Sequence, residues 1–359
     1  IQMAVLLEHP HLAVQNACLA AFWSLSYYHR LDLGFLQEHV IPHLTSKKIR
    51  SRYTTYNSTN EELLTFHVRS FGLLSCVVCE GGGKRGNILT NEGIDLLVDF
   101  IQYPSSPEAH RLGFMALLDA VIGHREPAMH ILENQESIEI LTHSLKSVDS
   151  IDNMIEDMEI LCALARSEAS EESFLHSADA LEYVGDILKR FHDNGINAMK
   201  NLTQDQWETI ILYTIATLWG IVSGEHAPIP SKEILSFVID VARTVSLTHG
   251  AHETEMLVCC FGFMAIGIQK HGADTNSQIC KSSLFFLIEV TLHHHDSRVK
   301  TTAASALKSL VGADPVTANK QKEILKNVET FSPGNDIVVQ GHTNDYIYVI
   351  LEGTVQVYV

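Results

Sequence analysis

Three apolar segments recur along the chain at nearly constant phase: Ile94 to Gln102, Ile138 to Lys146 and Leu181 to Lys189, whose starts lie 44 and then 43 residues apart. Ile234 to Val241 and Leu284 to Leu292 continue the series at steps of roughly fifty residues, within the slack that loop insertions give an array. A longer amphipathic run precedes each: Glu61 to Cys79, His110 to Val121, Met154 to Ala165, Trp207 to Val222 and Glu253 to Ile268, with Leu12 to Tyr28 at the head of the chain. Within these runs apolar side chains return at three- and four-residue steps, as at Leu63, Phe66, Leu73 and Val77, which is the period of a helix with one buried face. A pair of such helices cannot bury its apolar faces alone. A chain built from them must stack the pairs into a continuous core. The fold class expected is mostly α, a solenoid over residues 1–314 with about six or seven repeats.

The last twenty-nine residues break this pattern. Ile347 to Leu351 and Thr354 to Val359 are β-branched and aromatic runs separated only by Glu352 and Gly353, a two-residue hairpin in which Gly353 is free to take positive φ. Gly334 and Gly341 punctuate the preceding strand in the same manner. A short C-terminal antiparallel β-roll is expected over residues 329–359, truncated at Val359. Residues 315–328 read as a linker helix: Pro315 breaks the last solenoid helix, Gly312 opens the hinge, and Ile324 and Leu325 form a packing face.

Both parts resemble known families. Ile88 to Leu97, with Gly93 placed between two helices, is similar to the armadillo consensus, and Arg298 to Leu310 resembles an armadillo opening helix. Repeats without such glycines are closer to HEAT units, so the resemblance is to an armadillo/HEAT (ARM/HEAT) solenoid. The C-terminal stretch resembles the first half of a cyclic-nucleotide-binding domain, the β-roll of protein kinase A regulatory subunits and bacterial catabolite activators. Phe331 and Gly334, then Gly341, then Tyr348 and Ile350, then Gly353 and Val355 stand in that family's order. The resemblance implies cAMP or cGMP as ligand, with Ile350, Gly353 and Val355 as wall and turn of the pocket and Gly334, Gly341 and Gly353 as structural turns. The family's phosphate-holding Phe-Gly-Glu turn and arginine come later than the last residue here. Ile1 to Leu7 reads as the tail of a helix already under way, so the chain is expected to be a fragment with its first repeat cut.

Forty-three acidic against twenty-five basic residues give a formal charge of −18. Such a surface repels phosphate backbones and anionic bilayers and attracts basic protein segments. Neither nucleic acid nor membrane is an expected partner, and no apolar run is long enough to span a bilayer. Most of the twenty histidines read as solvated surface groups. The seven cysteines are odd in number and sit mostly in apolar runs, as core thiols of a reducing compartment do. A cytoplasmic location is expected, with cilium or cytoskeleton as variants.

Several motifs suggest chemistry but lack its complement. Glu80 to Gly86 (Glu-Gly-Gly-Gly-Lys-Arg-Gly) resembles the Gly-rich oxyanion loop of patatin-like phospholipases. Such an enzyme also needs a Gly-x-Ser-x-Gly nucleophile elbow, which occurs nowhere in the chain. Cys76 and Cys79 have no second pair at zinc spacing, and His124 to His130 lacks the His-Glu-x-x-His pattern. Consecutive His293, His294 and His295 point in different directions on a helix and are better read as favourable charges at its C-terminus. The polar segment Thr45 to Asn60, with Lys47, Lys48, Arg50 and Arg52, reads as an exposed insertion. No catalytic, metal or cofactor residues are assigned, and the chain is not expected to be an enzyme. The expected function is a regulatory scaffold that binds protein partners along the solenoid and couples them to a cyclic-nucleotide sensor. The alternatives are an axonemal or cytoskeletal scaffold with a non-binding β-roll, and the regulatory part of an enzyme whose catalytic domain lies elsewhere.

Overall fold

The computed structural model describes residues 2–28, 32–46, 49, 52, 60–81, 89–102, 106–123, 125–144, 151–167, 177–224, 226–248, 250–271 and 277–313. The chain divides into two units, Ile1–Asp314 and Pro315–Val359, and every described residue belongs to the first. Among the described residues the regular structure is all helical. In chain order the helices are α1 (Gln2–Val5), α2 (Leu12–Tyr27), α3 (Leu33–His39), α4 (Ile41–Leu44), α5 (Glu61–Gly81), α6 (Asn91–Gln102), α7 (Pro107–Gly123), α8 (Arg125–Glu133) and α9 (Gln135–Ser144). They continue with α10 (Ile151–Ala165), α11 (Ala178–Asn194), α12 (Gln204–Ser223), α13 (Lys232–Thr248), α14 (Glu253–His271), α15 (Ser277–His293) and α16 (Ser297–Ala313).

Two layers emerge from their packing. Helices α2, α5, α7, α10, α12, α14 and α16 form the first, each lying against the next. In the second layer, α6, α9, α11, α13 and α15 pack respectively on α7, α10, α11's partner α12, α14 and α16 of the first. The second-layer helices are the amphipathic members predicted by the 44- and 43-residue phase, and some of them also touch one another, as α6 and α9 do. The first-layer helices touch neighbours on two sides and underneath, which is why Phe66, Phe71, Phe261 and Phe263 are fully buried there. Arg298 to Leu310 forms α16 and falls in the first layer, as an opening helix does.

Helix starts follow local polar chemistry. The Thr203 hydroxyl accepts from the Gln206 N–H while the Gln206 side chain accepts in return, a capping box that starts α12 three residues ahead of its apolar run. Ser177, Ser106, Ser231 and Thr90 accept in the same way from Ala180, Ala109, Ile234 and Gly93. Gly195, at φ +53°, ends α11 in a conformation that L side chains rarely adopt.

Close approach within the first layer depends on glycine. A Cβ on Gly220 of α12 would stand 2.7 Å from the Ala165 carbonyl oxygen of α10, and one on Gly113 of α7 would stand 3.3 Å from Phe100 and 3.4 Å from Phe71. Cβ atoms on Gly72 and Gly262 would sit inside the indoles of Trp23 and Trp219, each carried by the preceding first-layer helix. Three of the four glycines (72, 220 and 262) directly follow an aromatic residue: Phe71, Trp219 and Phe261. Phe71 and Trp219 in turn face the glycine of the next helix, so the pair Phe71–Gly72 both receives a ring, from Trp23, and presents one, to Gly113.

Three local expectations change. Gly93 does not separate two helices; it lies in the first turn of α6, where Thr90 caps it. Gly312 does not open a hinge, since α16 continues through it to Ala313. The segment Thr45 to Asn60 is anchored where it is described: Thr45 and Ile49 are buried, and Arg52 donates to the Gln15 side chain and the Pro10 carbonyl. Its other basic residues, Lys47, Lys48 and Arg50, lie outside the described residues, as do the linker and β-roll segments 315–328 and 329–359.

Candidate functional site

The repeat phase that organises the core also organises charge on the opposite side of the second layer. In α6, Ile94, Leu97, Val98 and Ile101 are buried, Glu92 is exposed, and Asp95 and Asp99 are half-buried. In α9, Ile138 and Leu141 are buried and Glu136 and Glu139 are exposed. In α11, Leu181, Val184, Leu188 and Phe191 are buried and Asp179, Glu182 and Asp186 are exposed. Stepping by 44 and 43 residues aligns Glu92 with Glu136 and Asp179, and Asp95 with Glu139 and Glu182. Two in-register rows of three carboxylates result, and α6 lies directly against α9.

Helix electrostatics explains only one row. Glu92, Glu136 and Asp179 occupy first turns, where the macrodipole favours an anion. Asp95, Glu139 and Glu182 lie beyond that turn. Asp95 is approached by His130 Nε2 of α8 at 2.7 Å, and Glu139 accepts from Gln135 at 2.8 Å. The pattern stops at α13, where Glu233 receives Lys189 Nζ at 2.6 Å.

Carboxylates of the first layer are used differently. Near the N-terminal ends of its helices they meet polar side chains of adjoining repeats: Glu156 Oε2 lies 2.8 Å from His110 Nδ1 of the preceding repeat, and Asp152 accepts from Gln206 of the next at 3.2 Å. Asp205 faces His252 at 3.7 Å, Glu253 faces His294 at 3.6 Å, and Glu255 faces Arg298 at 3.5 Å. These contacts stitch successive repeats. His110 and His67 are almost wholly buried and His294 is nearly so, exceptions to the solvated placement expected of most histidines.

Burial favours the protonated form of four of the described thiols. Burial pushes Cys259 up to about 12 and raises Cys18, Cys162 and, most strongly, Cys260. Burial likewise raises Tyr213 and Tyr183, with Glu159 and Asp157 adding to it respectively. Burial lowers His67, against the raising effect of its bond to the Arg52 carbonyl. Cys76 is half-buried on α5, the same helix that carries Cys79. His293 ends α15, and the His294 and His295 rings stack with centroids 4.5 Å apart. Gly81 ends α5 and Asn91 opens α6, so the glycine-rich run joins two helices; residues 82–88 lie outside the description. Ile350, Gly353, Val355, Gly334 and Gly341 lie outside it too. Among the described residues no group of three or more His, Cys, Asp or Glu is placed to hold a metal ion, and no helix is long and apolar enough to cross a membrane.

The fold defines an α-helical repeat array whose second layer carries ordered negative charge. No protein-family model matches the chain, and no curated protein matches its sequence. Among solved structures, it is similar to a chain from work described as "A conserved phosphorylation switch controls the interaction between cadherin and beta-catenin in vitro and in vivo". The identity is 13% and the TM-score 0.46, over 90% of this chain and 63% of that one, so this chain spans less than two thirds of its length.

Proposed function

We propose that the chain is a non-catalytic scaffold that holds protein partners through basic, extended segments laid across its second layer. The observation that carries this reading is the pair of in-register carboxylate rows. Packed helices are spaced by about 8–10 Å, and an extended chain advances about 3.3 Å per residue. A strand crossing the packed pair α6 and α9 therefore passes from one carboxylate to the next in about three residues, and α11 repeats the same two sequence positions. The partner segment this favours has Arg or Lys at that interval. Arginine suits it best, because its planar fork pairs with carboxylates in two parallel bonds.

The test compares two peptides of identical composition by fluorescence anisotropy, one with arginines at every third position and one with them adjacent. Tighter binding of the spaced peptide, weakened in the Glu136→Lys, Glu182→Lys double variant, supports the reading. Equal binding of the two peptides reduces it to unspecific attraction by an acidic surface, and loss of neither in the double variant contradicts it.

The cyclic-nucleotide element of the reading rests on the sequence order of Phe331, Gly334, Gly341, Tyr348, Ile350, Gly353 and Val355. In it, cAMP or cGMP bound at Ile350, Gly353 and Val355 regulates the array. Titration with fluorescent cAMP and cGMP tests it: saturable binding that Gly353→Val removes supports a sensor, and no saturable binding leaves the helical array as the acting part.

A further inference from the structure

We draw no further inference here: the strongest candidate, the apolar stripe of Met115, Leu118 and Ile122 along the solvent-facing side of α7, is a helix face for which nothing in the structure shows what covers it.

Discussion

The two layers solve opposite problems with the same repeat. First-layer helices are enclosed by neighbours, and their sequences are dominated by packing: aromatic rings, glycines beneath them, buried thiols, and carboxylates that meet adjoining repeats. Second-layer helices bury one face and leave the other to solvent, and three of them repeat the same acidic positions there. The difference separates what holds the array together from what it presents. A change in the first layer should be felt as stability, and a change in the carboxylate rows as binding.

Alkaline pH breaks the first layer most severely. Cys259 is pushed up to about 12 from a thiol's ordinary 9.0, and Cys162, Cys260 and Tyr213 are raised as well. A group whose folded pKa is raised contributes stability that is fully present below the unfolded value and is lost as pH rises toward the folded one. Between about pH 9 and 12 the unfolded chain's thiol ionises and the folded one does not, so Cys259 alone removes roughly 4 kcal/mol at most. Urea unfolding across that range should show stability falling steadily; a flat profile would mean that these groups are hydrated in the folded protein.

Steric substitution is next. Gly220→Val drives a side chain against the Ala165 backbone, which has no rotamer to yield, and should lose about 3 kcal/mol or more in urea unfolding. Gly195→Ala is the control for backbone strain alone, since nothing stands within 4 Å of the added atom; it should lose only about 1–2 kcal/mol. His110→Ala empties a buried site beside Glu156 and should lose about 2–3 kcal/mol, the cost of a large-to-small change in a packed interior. Thr203→Ala, which removes the capping box of α12, should lose about 1 kcal/mol. Reversing Glu136 and Glu182 should sharpen the contrast: each change stays within about 0.5 kcal/mol in stability, because both are exposed, while basic-peptide binding falls.

The helical array was largely legible because apolar periodicity survives solvent and partner alike. Leu12, Glu61 and Glu253 open both the expected runs and the observed helices. Starts elsewhere were placed late: α12 begins at Gln204 rather than Trp207, and α7 at Pro107 rather than His110, because the first turn and its cap are polar. Helix α8 leaves no clear periodic signal, because its buried positions, Pro127, Ala128, Ile131 and Leu132, make too short an apolar run. Four glycines in helix interiors, unfavourable by propensity, were the visible trace of close packing at Gly72, Gly113, Gly220 and Gly262. The carboxylate rows could have been found by applying the phase of Ile94, Ile138 and Leu181 to polar positions two before and one after each. The cross-repeat contacts of His110, His252 and His294 could not, since they depend on which helix lies beside which.

Hydrogen–deuterium exchange of the chain, with and without the spaced-arginine peptide, tests most directly whether the second layer is the binding surface. The account predicts peptide-dependent protection in α6, α9 and α11, with α5, α7, α10 and α12 unchanged. Protection confined to the first-layer helices, or none at saturating peptide, would contradict it.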